Sequence, residues 1–333
     1  MTFFLIIFQT IAVLTIIPTV LALFYNKSWW IRVCDFPRLQ IIFFQAVAII
    51  GLLVFMQDFD IANVILTGIT FFALVTQIIY VFPYLSIVKK EVPDYNDKDG
   101  LRFSLMVSNV LMSNRKSQKL IELVRHYQPS IFLAVETDQW WKEQLDVLDE
   151  HYTFRKKVPI DNTYGMLLFS KLPLTNLSVE YIIEAGVPSI HADVVLDESF
   201  VFKLRCIHPE PPAPSEADTS RPRDRELVLL AKKIKQNPAP YIVIGDLNDV
   251  AWSDTSYKFE RISELKDPRK GRGFYNTFNA KLPFFRWALD HVFMSELFEV
   301  IKLKRLPFVN SDHFPVYLEV GVNPTKKDGF NLV

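Results

Sequence analysis

Eight polar residues stand where short apolar runs give way to loops. Asn109 follows Arg102–Val107, Glu136 follows Ile131–Val135, and His208 follows Phe200–Ile207. Asp246 and Asn248 follow Tyr241–Ile244, Asp290 opens Leu289–Met294, and Asp312 and His313 precede Val316–Val320. Their types fit one task. Glu136 and Asp312 offer hard oxygen ligands of the kind that suits Mg²⁺ or Mn²⁺, ions that keep several waters and share a substrate phosphate. Such an ion stabilises charge on phosphoryl and leaving oxygens. Asp246 can orient and deprotonate water, Asn248 can hold that carboxylate or the water, and Asp290 can fix the ring of His313. His208 and His313, if protonated, can donate to phosphoryl oxygens. Taken singly, an Asp or Asn after a strand is usually a turn or cap residue, and a His beside a proline, as in His208-Pro209, is usually just exposed. Their recurrence at strand ends, where a rigid scaffold presents loops, favours the chemical reading. No nucleophilic Ser or Cys constellation competes, and there is no glycine-rich phosphate loop.

These residues need a sheet to bring them together. Strand patterns run over Arg102–Val107, Ile131–Val135, Met166–Phe169, Ile190–Leu196, Phe200–Ile207, Tyr241–Ile244, Leu289–Met294 and Val316–Val320. Helical spacing of apolar residues covers Gln118–Tyr127 and Arg223–Lys235. Strands interleaved with helices predict an α/β sandwich, with sheets in the middle and helices outside. Side-by-side strands would then place the polar residues on one rim.

The series Ser108-Asn109-Val110, Glu136-Thr137, His208, Gly245-Asp246-Leu247-Asn248, Leu289-Asp290-His291 and Ser311-Asp312-His313 resembles the endonuclease/exonuclease/phosphatase (deoxyribonuclease I-like) superfamily over roughly Leu101 to Val320. The resemblance implies a four-layer α/β sandwich and a divalent-metal-dependent phosphoester hydrolase. It implies Glu136 as the main metal ligand with Asp312 near the metal, Asp246 activating water beside Asn248, and Asn109 positioning the metal–phosphate assembly. Asp290 would orient His313, and His313 and His208 would stabilise the transition state. Tyr164, in Tyr164-Gly165, would face the substrate. Arg272 belongs to a run with Lys266, Arg269 and Lys270, close to Phe274, Tyr275, Phe278, Phe284, Phe285 and Trp287. Such a mixture can grip a phosphodiester and stack a base, can lie on lipid headgroups, or can be a solvated loop over an aromatic core. The substrate expectation therefore spans nucleic acid and phospholipid or sphingolipid headgroups, and no protein partner is implied. A member retained only as an inactive, membrane-anchored binding module would have lost site residues, and none is lost here.

The front of the chain differs in kind. The 37 basic and 37 acidic residues balance, but only Lys27, Arg32, Asp35, Arg38, Asp58 and Asp60 fall within residues 1–88. Phe3–Tyr25, Leu39–Gln57 and Ile61–Val88 carry no charge, and each reaches the ~20 residues that cross a bilayer as a helix. The first lacks the basic flank and cleavage site of a signal peptide. The expected organisation is a three-helix membrane anchor (1–88), a polar linker (89–100), the catalytic domain (101–322) and a tail (323–333). Zero net charge argues against a tight, sequence-blind DNA binder, and two cysteines, Cys34 and Cys206, make no disulfide framework. Lys27, Arg32 and Arg38 in the first loop and Lys89 and Lys90 after the third span, against Asp58 and Asp60 in the second loop, put the catalytic domain in the cytoplasm by the positive-inside rule. Trp29-Trp30, Phe36-Pro37-Arg38-Leu39-Gln40, His208-Pro209-Glu210-Pro211-Pro212, Arg272-Gly273-Phe274 and Ser311-Asp312-His313-Phe314-Pro315-Val316 resemble bacterial inner-membrane members with three N-terminal spans, which implies the periplasmic side. The two readings disagree, and the periplasmic one is preferred because the charge rule rests on so few residues.

Overall fold

A computed structural model describes residues 2–24, 26–56, 60–97, 100–212 and 217–323. Asp58 of the acidic second loop, Lys98 and Asp99 of the linker, part of the proline-rich run after His208 and the tail beyond Asn323 lie outside the described residues. In chain order the elements are α1 (Thr2–Leu23), α2 (Trp29–Arg32), α3 (Arg38–Phe55), α4 (Ile61–Val81), β1 (Arg102–Asn109), α5 (Gln118–Tyr127), β2 (Ile131–Val135) and α6 (Gln139–Leu145). There follow β3 (Phe154–Val158), β4 (Met166–Ser170), β5 (Leu174–Glu180), β6 (Ser189–Asp197), β7 (Phe200–Cys206), α7 (Arg221–Gln236), β8 (Tyr241–Asp246), α8 (Asp254–Ser263), β9 (Asp290–Met294), β10 (Phe298–Arg305) and β11 (Val316–Val322).

The strands form two sheets, ordered β10-β11-β1-β2-β4-β3 and β5-β6-β7-β8-β9. Side chains alternate across a strand, and the alternation sorts the core into three slabs. Phe103, Leu105 and Val107 of β1 face inward with Phe202, Leu204, Ile242 and Ile244 from the other sheet. Met106, Phe132 and Phe169 face outward against Leu120, Ile121 and Val124 of α5 and Trp141 of α6. Tyr241 and Val243 face outward against Leu227, Leu230, Ala231 and Ile234 of α7 and Phe259 of α8. The layers are therefore helix, sheet, sheet, helix, the expected four-layer sandwich.

Among the named strands, β1 pairs with β2 and β7 with β8 in parallel, each pair joined by a crossover through a helix, α5 or α7. The carboxyl ends of these four strands consequently share one rim. β9 runs antiparallel to β8 with Asp290 opposite Asp246, and β11 runs antiparallel to β1 with Val316 opposite Val107. The start of β9 and the segment before β11 are thus delivered to the same rim.

Thr2–Leu23, Arg38–Phe55 and Ile61–Tyr84 are helical, with mean hydropathy of 2.4, 2.1 and 2.1, long and apolar enough to cross a membrane. A buried polar relay joins them: Arg38 Nη1 donates to Gln77 Oε1 at 2.7 Å, Gln77 Nε2 to Thr19 Oγ1 at 2.9 Å, and Gln45 Nε2 to Thr19 Oγ1 at 3.0 Å. Hydrogen bonds between apolar helices fix their register. The segment after α1, the start of α3 and the end of α4 all meet the sandwich. Trp252 Nε1 donates to Asp35 O at 2.7 Å and Tyr84 Oη to Ala251 O at 2.7 Å, while Val81, Tyr84, Val250, Ala251, Trp252, Ala288 and Leu289 form one buried apolar cluster. The segment after the third apolar helix is bound rather than loose: Val92 lies in the inter-sheet core and Tyr95 N donates to Val300 O at 2.9 Å.

Candidate active site

Strand geometry accounts for where the polar residues sit, and backbone strain for how they point. Gly245 has φ +149°, and a Cβ there would lie 1.8 Å from Ile207 O, so only glycine lets β8 press against the end of β7 beside Asp246. Glu136 (φ 61°) and Asn248 (φ 51°) are left-handed. Non-glycine residues held there cost roughly 1–3 kcal/mol each and gather at functional sites.

Asn109 is the hub. Its Nδ2 donates to Glu136 Oε1 at 2.7 Å and to Asp246 Oδ2 at 3.0 Å, while its Oδ1 accepts from Leu111 N at 2.9 Å, which fixes the amide's orientation. The other oxygen of Asp246 accepts from the backbone N–H of Asn248 at 2.9 Å. His313 lies beyond: its Nδ1 is 2.8 Å from Asp290 Oδ2 and its Nε2 is 3.5 Å from Asp246 Oδ2. Ser311 Oγ donates to Asn109 O at 2.8 Å and accepts from His313 N at 3.0 Å, tying the last loop to the first strand. Among the described residues, donor atoms of Glu136, His208 and Asp246, and again of Asp246, Asp290 and His313, lie within 4.8 Å of one another.

Seven of the expected residues are therefore gathered: Asn109, Glu136, His208, Asp246, Asn248, Asp290 and His313. Tyr164 is buried, its ring 5.4 Å from that of His208. Asp312 belongs to neither set of close donor atoms, although its charge reaches Glu136 and His313. Arg272 points elsewhere, to Pro268 O at 3.2 Å and Asp94 Oδ1 at 2.6 Å. Its companions are likewise held inside the fold: Arg269 is buried on Asp267 and His291, and Lys270 is bound to Glu260. Arg269, Lys270 and Arg272 are thus each paired with a carboxylate of the fold.

Burial pushes the Glu136 carboxyl up to about 7, even though Asn109 opposes the shift. Burial likewise lowers His208 to about 4, so this imidazole is neutral at neutral pH; its Nδ1 is buried without a hydrogen-bond partner. For His313 burial acts downward too, but Asp290 and Asp246 outweigh it and hold the ring protonated up to about 10. One histidine is thus a cation and the other is neutral, where the sequence had left both as conditional cations.

A brace behind the site also emerges. Arg223, almost wholly buried, donates from Nη1 to Asn248 O at 2.7 Å and pairs with Asp249 at 3.0 Å. His291 Nε2 is 2.9 Å from Asp249 O and its Nδ1 is 2.8 Å from Arg269 Nη2. Thr277 Oγ1 accepts from the N–H groups of Leu289 and Asp290, both at 3.3 Å. Nothing in the local sequence marks Thr277. In the sequence Arg223 marks only the start of the Arg223–Lys235 helical pattern.

A four-layer sandwich with carboxylates, an asparagine and a histidine–aspartate pair on one rim defines a class of phosphoester hydrolase. A sequence profile of the Endonuclease/Exonuclease/phosphatase family matches residues 106–313, and the chain belongs to that family. A comparison with curated proteins finds no match. Solved structures share the fold. D. rerio TDP2, crystallised with a single-strand DNA product, is 16% identical with a TM-score of 0.56, over 66% of this chain and 99% of that one. The human Nocturnin catalytic domain, with bound sulfate, is 18% identical with a TM-score of 0.54, over 66% and 94%. A family protein from Bacteroides thetaiotaomicron is 17% identical with a TM-score of 0.52, over 69% and 98%.

Proposed function

We propose that this chain is a multi-pass membrane protein whose sandwich hydrolyses a phosphoester with the help of a divalent cation, Mg²⁺ or Mn²⁺. The observation that carries the reading is the single Asn109 amide holding Glu136 and Asp246 together, with protonated His313 on the far side of Asp246. The donor set fits such a cation. Glu136 is a half-buried carboxylate beside a second carboxylate, an arrangement that a bound positive charge relieves. Glu136 would hold the ion, with Asp312 contributing its field from nearby. The ion, when bound, would offset charge on the phosphoryl and leaving oxygens.

The chain's own residues supply the rest. Asp246 takes a proton from water, whose oxygen forms the new bond to phosphorus as the bond to the leaving oxygen breaks and that oxygen gains a proton. Asn248 N–H and Asn109 Nδ2 keep Asp246 in register. Asp290 orients His313, which donates to the phosphoryl oxygens, and neutral His208 donates from its other flank beside Tyr164.

The orientation that we favour puts the sandwich in the periplasm of a bacterial inner membrane. Lys27, Arg32 and Arg38, three of the five basic residues on which the opposite reading rests, are each paired inside the fold, with Asp224, Asp35 and Asp35. They have a structural reason to be basic on either side. The full chain in nanodiscs should hydrolyse a soluble phosphodiester or phosphomonoester and stop on chelation. Failure across such esters with both cations would sink the proposal. An alkaline phosphatase fused to the C-terminus should be active, and inactivity would reverse the orientation.

A further inference from the structure

One surface feature is not explained by the site: the tip at Lys281-Leu282-Pro283-Phe284-Phe285, five consecutive exposed residues. Past residue 88, the described residues hold seven exposed large hydrophobic side chains, and three of them are here: Leu282 at 50%, Phe284 at 82% and Phe285 at 53% exposure. Scattered exposed apolar residues need no explanation, but a contiguous group marks a contact surface. The tip is ordered. Phe285 N donates to Leu282 O at 3.2 Å, Asn279 N to Phe285 O at 3.0 Å, and Arg286 Nη2 to Ala280 O at 3.3 Å.

Its two attachments say what covers it. On one side, the Gln40 amide donates to Phe284 O. Gln40 is the third residue of α3, and Phe43 and Phe44, both outward-facing and exposed, follow within one turn. At ~1.5 Å per residue, those side chains begin only about 5–6 Å further along the helix axis. The tip is therefore pinned at the border of the hydrocarbon, at the depth where an amphipathic surface seats in headgroups. Lys281 and Arg286 flank it with positive charge. On the other side, the tip's root touches the site. Ala280 N donates to Asp312 O at 2.6 Å. Three ring contacts run from the site to the anchor: His313 to Phe278 at 5.0 Å, Phe278 to Trp287 at 6.0 Å and Trp287 to Phe36 at 5.6 Å.

We infer that the substrate is a phosphoester of a membrane lipid, taken from the bilayer that holds the anchor, with the Leu282–Phe285 tip seated among the headgroups and presenting them to Asp312 and His313. The inference rests on the chain being a membrane-anchored phosphoester hydrolase. A stacking platform for nucleic-acid bases would also use aromatic rings, but it gives no reason for a membrane helix to hold the tip or for Leu282 and Pro283 to be part of it.

The test uses the full chain reconstituted in vesicles of phosphatidylethanolamine, phosphatidylglycerol and sphingomyelin. Hydrolysis of each lipid is measured beside a soluble aryl phosphodiester and a single-stranded oligonucleotide. The parent should cleave at least one vesicle lipid. The triple variant L282S/F284S/F285S should lose about tenfold or more on that lipid while keeping soluble-ester turnover within about twofold. Independently, F284W should be quenched by lipids brominated in the upper acyl chain. Turnover of the soluble ester or oligonucleotide without any lipid turnover, an equal loss on lipid and soluble ester, or an unquenched F284W would each overturn the inference. No turnover of any substrate, soluble ester included, would instead remove the hydrolase reading beneath it, whatever the quenching shows.

Discussion

Trp252 joins the bundle of N-terminal apolar helices to the loop that follows Asp246, and its replacement separates a working junction from a passive tether. Its side chain is 4% exposed, its ring lies edge-on to Tyr84 and Phe274 at 6.2 and 5.8 Å, and its Nε1 donates to Asp35 O at 2.7 Å. Trp252→Phe keeps most of the apolar contact and leaves a buried carbonyl unpaired, a loss of ~1–3 kcal/mol. Trp252→Ala also empties the cavity, and a large aromatic truncated to alanine costs ~3–5 kcal/mol. The loop from Asn248 to Ser253 is short and is held at its other end by Arg223, so the loss should loosen the Asn248 N–H that fixes Asp246. Misplacement of catalytic groups by about 1 Å costs up to ~100-fold, and we expect at least a tenfold fall in kcat for the alanine variant. Near-ultraviolet circular dichroism during thermal unfolding in nanodiscs, with turnover of a soluble ester, measures both effects. An alanine variant within about 0.5 kcal/mol of the parent, turning over at the parental rate, would refute the reasoning.

Three further predictions follow from the same geometry. Asp290→Asn removes the nearest carboxylate from His313, so the alkaline limb of the pH–rate profile should move down from near 10 towards neutrality; a limb that stays put would show that another group titrates there. His291 is neutral in the fold, where burial first and then Arg269 depress it to about 3. The unfolded chain binds a proton below its ordinary ~6.5, so this contribution to stability is complete above that pH and lost as pH falls towards 3. His291→Asn, which keeps an acceptor for Arg269 but has no titratable ring, should flatten the acid side of a denaturation-midpoint series, and an unchanged slope would contradict the assignment. Gly245→Ala should abolish the folded state, because its Cβ has nowhere to go against Ile207 O; native-like circular dichroism would show that the strand ends can part.

Much of this site was legible because its residues close buried strands. The runs ending at Asn109, Glu136 and Asp246 are continuous and apolar, and buried strands read that way. The strands that the sequence pattern left out are β3, β5 and β10, three of the four edge strands of the two sheets. Phe154-Arg-Lys-Lys-Val158 and Leu174-Thr-Asn-Leu-Ser-Val-Glu180 carry the charged and polar side chains that protect an edge, and so they read as loop. α6 escaped because its seven residues are too few to show a helical period, and α8 because much of its surface is polar. The bracing residues Thr277 and Arg223 were invisible or ambiguous because they act on backbone groups brought close only by the fold. The pairing of Arg269, Lys270 and Arg272 was not legible in the sequence, since two of their partners, Glu91 and Asp94, lie far away along the chain.

The reading stands or falls on Glu136 and Asp246 sharing one cation-assisted site. The decisive measurement is Mg²⁺ or Mn²⁺ binding by calorimetry together with soluble-ester turnover, on the full chain and on Glu136→Gln and Asp246→Asn. The account predicts cation-dependent turnover in the parent, weakened cation binding in Glu136→Gln, and retained binding with turnover reduced about a thousandfold in Asp246→Asn, a loss of ~4 kcal/mol of transition-state stabilisation. Turnover that persists without a divalent cation, or an Asp246→Asn variant as fast as the parent, would contradict it.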